Sequence, residues 1–234
     1  MKRLEGKIAI VTGGSRGIGR AIVRSLALEG ATVVIAARNP EDLVRALAES
    51  RGEGLHVEGV ATDIAVEKSV DRLVEQVVKD HGRIDILVNN AGMGTFKPVA
   101  ELSVAEFDTM WGTNMRGVFL ATKAVLPHMM RLKGGEIVNI ASLAGKNSFK
   151  GGAGYCATKW ALRGFAGSLM LEVREHNIRV MTICPGSVET GFSGSGKKGE
   201  RIPQPEDVAE AVLFAVTAPA RAMFSEIDLR PTNP

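Results

Sequence analysis

A chain of 234 residues is long enough to fold as one α/β domain whose core needs neither metal nor disulfide. Apolar residues at 45% and charged residues at 24% exclude wholesale disorder, and the longest apolar run, 211–216, falls far below the ~20 residues of a bilayer span. The 29 basic and 26 acidic residues leave +3 spread over both halves, without the basic stripe that nucleic-acid binding shows.

Taken in chain order, strand and helix signals alternate throughout. Residues 7–12 form a short apolar strand run. A helix over 17–29 follows, with Ile18, Ile22, Val23 and Leu26 on one face, and Gly30 stops it. A strand over 32–36 precedes a helix that Pro40 opens and that runs to about Ser50. Residues 57–61 read as a third strand. Val66, Val70, Leu73, Val74, Val77 and Val78 then mark an amphipathic helix that Gly82 ends. Strands at 84–88, 135–141 and 178–183 alternate with helices near 103–132 and 153–176. A helix near 205–217 and a strand over 226–229 close the chain. Val and Ile on both faces of strands joined by helices require a parallel sheet covered on both sides, in a single domain over 1–234. The Gly/Ser-rich stretch at 192–199 reads as a mobile loop, within a flexible segment near 187–203, and is either a solvated connector or a lid.

Thr12-Gly13-Gly14-Ser15-Arg16-Gly17-Ile18-Gly19 lies between the first strand and the first helix, where helix N-terminal amides can hold a pyrophosphate. Gly13 permits the sharp turn, Gly17 lets the backbone approach a ligand, and Gly19 lets helix and strand pack closely. The spacing GxxxGxG differs from the commoner GxGxxG. An NAD site places an acid at the end of the second strand, against the ribose hydroxyl. Here Arg38 occupies that stretch and Arg16 lies in the glycine loop. Two guanidinium groups suit a 2′-phosphate, which favours NADP(H) over NAD(H). Tyr155 and Lys159 are i, i+4 neighbours at the start of a helix. An ammonium about 5 Å from the phenol is expected to lower its pKa by about two units, toward acid–base range. Ser142 ends the preceding strand. Cys156 and Cys184 lack CxxC spacing and the four histidines are scattered, so no metal site is expected. Free thiols fit a reducing cytoplasm, and the first residues show no signal-peptide core.

These residues resemble the short-chain dehydrogenases/reductases, in their compact single-domain branch, over nearly the whole chain. The motifs are the Thr12 to Gly19 turn, Asp63, Asn89-Asn90-Ala91-Gly92, Asn114, Ser142, Tyr155-xxx-Lys159 and Pro185-Gly186, matched in order and spacing. The resemblance implies a Rossmann-type doubly wound parallel sheet of about seven strands with helices on both faces. It implies that Tyr155 exchanges a proton with the substrate oxygen, Ser142 polarises that oxygen, and Lys159 binds the nicotinamide ribose and lowers the Tyr155 pKa. Asn114 would hold a water linking Lys159 to solvent. Gly13, Ser15, Arg16, Gly17, Ile18, Gly19 and Arg38 would bind the cofactor phosphates, and Asp63 and Ile64 the adenine. Asn90, Ala91 and Gly92 would lie along the adenosine ribose, and Pro185, Gly186, Val188 and Thr190 along the nicotinamide.

The chain is similar to NADP-dependent 3-oxoacyl reductases through Thr190 and weakly thereafter, so substrate does not carry over. The brief loop after Pro185-Gly186 departs from the family's pattern at the pocket roof, and the ending Arg230-Pro231-Thr232-Asn233-Pro234 departs from it in the C-terminal contribution to assembly. Met93, Phe96, Phe149 and Phe192 fall in loops at the same sheet edge and suggest an apolar pocket. The expected activity is NADP(H)-dependent interconversion of a small-molecule carbonyl and a secondary alcohol, in a cytoplasmic homotetramer without nucleic-acid or membrane partners. An NAD-dependent alcohol dehydrogenase and a catalytically silent NADP(H) sensor are the alternatives.

Overall fold

Apolar residues at four consecutive positions of the first strand, Ile8 to Val11, leave it no face for water, so it belongs in the interior of a covered sheet. The computed structural model, which describes residues 2–193 and 202–232, places it there. Strands β1 (Ile8–Thr12), β2 (Thr32–Ala37), β3 (Val57–Ala61), β4 (Ile86–Asn89), β5 (Gly135–Ile140), β6 (Ile178–Pro185) and β7 (Glu226–Leu229) form one parallel sheet. Their order is β3-β2-β1-β4-β5-β6-β7. Helices α1 (Gly17–Leu28), α2 (Pro40–Gly52), α3 (Glu67–His81), α4 (Val104–Trp111), α5 (Gly117–Leu132), α6 (Ala153–Val173) and α7 (Pro205–Val216) connect them. This is the doubly wound Rossmann-type architecture. β1 pairs with β2 on one side and β4 on the other, so the order reverses at β1 and a crevice opens beyond the carboxyl ends of these strands.

The period of two along each strand sorts its side chains between two cores. Ala9, Val11, Val33 and Ile35 pack with Ile22, Leu26, Leu43 and Val212 of α1, α2 and α7. Ile8, Ile10, Val34 and Leu87 pack with Leu73, Val77, Val125 and Leu169 of α3, α5 and α6. Each large side chain so buried contributes about 1.5–3 kcal/mol. Gly82, at φ 73°, ends α3 in the left-handed conformation that a side chain disfavours.

One expected element differs. Residues 103–132 do not form a single α-helix, because a π-helical turn, Gly112–Arg116, separates α4 from α5. Such a turn inserts one residue into the hydrogen-bond ladder and re-aims the side chains around it. Here it carries Asn114 into the interior, 1% exposed. The stretch 194–201, central to the expected flexible loop, lies outside the described residues. The described residues beside it are joined to each other: the Glu189 amide donates to the Pro203 carbonyl at 2.9 Å.

Away from the crevice, Arg179 of β6 holds the α7–β7 connection. Its guanidinium donates to Glu136 at 2.7 and 3.0 Å and to the carbonyls of Val216, Ala218, Pro219 and Ala222. Arg179→Ala strands the Glu136 carboxylate and four carbonyls. The expected loss is about 3–5 kcal/mol, read as a lower denaturant midpoint, and a midpoint within error of the parent would contradict it.

Candidate active site

The glycine turn is shaped from both sides of the reversal point. Gly13 and Gly17 take φ values of 65° and 53°, the left-handed region that favours glycine. A Cβ at Gly13 would lie 2.9 Å from Ala91 Cα, and one at Gly19 would collide with the Gly13 carbonyl oxygen. Gly19 thus closes the helix onto the turn itself, a nearer neighbour than the strand expected from the sequence. Asn90 stitches the turn to β4. Its side-chain amide donates to the carbonyls of Thr12 at 2.9 Å and Gly13 at 3.2 Å, and its backbone amide donates to Thr12 Oγ1 at 3.0 Å. The Asn90 side chain therefore holds the turn, while Ala91 and Gly92 continue the cleft wall.

The α1 N-terminus faces this turn with no side-chain cap and no acid in its first turn. By contrast, Asn39 caps α2, and Ser103 with Glu106 closes α4. Uncapped amides at a helix N-terminus favour an anion. Arg16 and Arg38 are exposed at the same end of the cleft, and among the described residues neither pairs with a carboxylate. Ser15, Gly17, Ile18, Asp63 and Ile64 line this end as well. Asp63 is held by its own turn, its carboxylate accepting from the Ala65 amide at 3.0 Å.

The cleft, about 1210 Å³, runs from there to the ends of β5 and β6, where the predicted reactive side chains converge. Ser142 leaves β5 with its Oγ accepting from the Ala144 amide at 3.1 Å and donating to the Pro185 carbonyl at 3.3 Å. Tyr155 and Lys159 share one face of α6 and are 8% and 5% exposed. The Lys159 ammonium lies 5.8 Å from the centre of the Tyr155 ring and donates to the Ile140 carbonyl at 2.8 Å.

The expected lowering of the Tyr155 pKa is overturned in the protein alone. Burial pushes the phenol up to about 12, with the nearby Ser142 hydroxyl pulling the other way. Burial also takes Lys159 down to about 8. The sequence spacing supplied the lysine's charge and omitted the desolvation of both groups, which is the larger effect here.

Asn114 is brought into this cluster from the π-helical turn. Its Oδ1 accepts from the Met93 amide at 2.9 Å, and its Nδ2 donates to the Met93 carbonyl at 2.8 Å and to Thr158 Oγ1 at 3.0 Å. So engaged, the side chain fixes the β4 loop beside α6. Pro185, Gly186, Val188 and Thr190 line the opposite wall, Val188 also packing on the core.

Sequence reasoning missed the chain's end. Arg230 and Pro231 line the cleft, and the Gly186 amide donates to the Leu229 carbonyl at 2.8 Å. The edge strand β7 carries the tail to the site, a placement that only the strand order reveals. Elsewhere, Cys184, Glu226 and Asp228 bring their donor atoms within 4.8 Å of one another. Lys146 and Arg163 already engage those carboxylates, and burial raises the Cys184 thiol to about 11.

The uncapped amides, the turn that a Cβ would fill and the two unpaired guanidinium groups fit a dinucleotide pyrophosphate and one further phosphate. Fold and cleft together define a Rossmann-type oxidoreductase. The sequence profile of the short chain dehydrogenases matches residues 7–201. The chain belongs to the short-chain dehydrogenase family. It is 33% identical over 232 residues to an uncharacterized oxidoreductase of Staphylococcus epidermidis, covering 99% of this chain and 100% of that one. Among solved structures, it is 37% identical to a metagenomic short-chain oxidoreductase in complex with NADP, at a TM-score of 0.88, covering 99% of this chain and 100% of that one. It is 32% identical to an alcohol dehydrogenase of the archaeon Thermococcus sibiricus complexed with 5-hydroxy-NADP, at a TM-score of 0.90, covering 97% of each chain.

Proposed function

We propose that the chain, acting as one domain, interconverts a carbonyl and a secondary alcohol with NADP(H), Tyr155 being the general acid and base. The observation that carries this reading is that Ser142 and Tyr155, with the Lys159 ammonium beside the Tyr155 ring, line the cleft that the glycine turn begins. When bound, the nicotinamide supplies or accepts the hydride. Ser142 holds the substrate oxygen, Tyr155 gives it a proton in reduction or takes one in oxidation, and Lys159 stabilises the charge left on the phenol. Gly13, Ser15, Gly17, Ile18 and Gly19 would hold the pyrophosphate, and Arg16 and Arg38 the 2′-phosphate. Asp63, Ile64, Asn90, Ala91 and Gly92 would border the adenosine. Lys159 and Tyr155, with Pro185, Gly186, Val188 and Thr190, would border the nicotinamide half. The NADP and hydroxy-NADP complexes of the two solved relatives support this cofactor choice. Purified protein is expected to consume NADPH, in preference to NADH, with a panel of ketones, β-keto esters, quinones and aldehydes. No consumption across that panel would refute the reading.

We also propose a homotetramer, working in the cytoplasm. Its support is the exposed apolar surface on α4 to α6, at Phe107, Phe119, Trp160 and Leu171. Light scattering is expected to give four chain masses, and one chain mass would contradict it. No helix among the described residues is long and apolar enough to cross a membrane.

A further inference from the structure

The aromatic residues beyond Tyr155 come from three separate loops, and they meet. The Phe96 ring, after β4, stands edge-on to Tyr155 with centres 5.4 Å apart, and lies 5.7 Å from Phe149 and 6.4 Å from Phe192. Phe192 is itself 5.9 Å from Tyr155. All line the cleft, yet Phe96, Phe149 and Phe192 remain 39%, 46% and 44% exposed. Three half-bare phenyl rings beside one buried hydroxyl form an apolar surface that a ligand can cover.

Two glycines make room for these rings. A Cβ at Gly94 would lie 2.8 Å from Phe96 and 3.1 Å from Phe192, and one at Gly152 would collide with the Phe149 ring. Neither glycine has a positive φ, so space around the rings, not backbone conformation, sets the requirement. The other cleft residues on these loops, Met93, Asn147 and Ser148, carry no charge. Arg16, Arg38, Asp42 and Asp63 sit at the far end, Arg230 lines the cleft from the chain's end with Asp228 3.5 Å away, and Lys159 donates to a backbone carbonyl behind the tyrosine.

We propose that Phe96, Phe149 and Phe192 select a carbonyl compound bearing an aromatic group next to its carbonyl. This rests on the assignment of Ser142 and Tyr155 as the groups that hold and protonate the carbonyl oxygen. Phenyl rings arranged edge-on and tilted around a gap favour an aromatic guest over an alkyl chain through their quadrupoles, by about two- to tenfold in affinity per ring.

The test uses carbonyl compounds that NADPH does not reduce, so that recognition and turnover are read separately. Full-length protein is titrated calorimetrically, with and without NADP, with benzamide and with heptanamide of equal carbon number. Benzamide is expected to bind at least fivefold tighter than heptanamide. Phe149→Leu and Phe192→Leu should each lower the benzamide-to-heptanamide ratio by about two- to tenfold. Equal or tighter heptanamide binding by the parent overturns the proposal, as does a ratio unmoved in both variants. Benzamide preference without turnover of any ketone supports the aromatic site and overturns the catalytic reading. Turnover of acetophenone and 2-octanone without benzamide preference does the reverse.

Discussion

Tyr155→Phe is expected to lower kcat for carbonyl reduction by about 10²–10⁴-fold, the range over which a positioned acid contributes. The substitution removes one hydroxyl and keeps the ring, so the contacts of Phe96 and Phe192 with that ring survive and the pocket keeps its walls. NADPH affinity should stay within a few-fold of the parent, measured by fluorescence titration. Loss of turnover without loss of binding separates a chemical role from a packing one. Turnover within a few-fold of the parent would remove Tyr155 from the mechanism.

The pH profile follows from the two buried groups. The phenol, held up near 12, stays protonated and ready to donate across the neutral range, whereas Lys159 loses its charge as pH rises through about 8. Reduction is therefore expected to be level below that point and to fall above it, because a neutral lysine no longer stabilises the anion that proton donation leaves behind. For stability the sign is opposite. The unfolded chain keeps the lysine proton up to its ordinary pKa, so between about 8 and 10.5 unfolding takes up a proton, and the penalty of burying the Lys159 charge fades as pH rises. The chain has one tyrosine, so an absorbance titration of the whole protein follows this hydroxyl alone.

The parts of the site that were legible in the sequence are those fixed by local geometry. Gly13 and Gly17 declare left-handed turns, Tyr155 and Lys159 declare a shared helical face, and Ile8, Ile10 and Val11 on both faces of β1 declare a covered sheet. What escaped were properties of assembled space. Spacing sets the distance from phenol to ammonium, but only packing tells how much water each group has lost. The hydrophobic period through 103–132 could not reveal one residue inserted around Asn114, because a π turn leaves the apolar pattern nearly intact on either side. Phe96, Phe149 and Phe192 were visible as apolar loop residues. Their convergence depends on β4, β5 and β6 being neighbours in the sheet, which is also why the chain's end reaches Gly186.

Cofactor choice gives the other large effect. Arg38→Asp is expected to lower the NADPH-to-NADH ratio of kcat/KM by about 10²–10³-fold. A hydrogen bond to a charged group contributes about 1.5–3 kcal/mol, near or above tenfold, and the new carboxylate adds repulsion of a phosphate carrying up to two negative charges. The same carboxylate can accept from the 2′-hydroxyl of NADH, so the ratio moves from both sides. Arg16→Ala should cost about tenfold, toward the lower end of that range because its side chain is exposed to water. If both guanidinium groups meet one phosphate, the double variant will lose less than the product of the single losses, since each arginine matters most while the other is present. Salt supplies an independent check. Exposed charges are screened, so rising ionic strength should raise KM for NADPH in the parent and leave KM for NADH nearly level. A ratio unmoved by Arg38→Asp, together with equal salt sensitivity for the two cofactors, would place the 2′-phosphate elsewhere and leave the arginines as solvated surface.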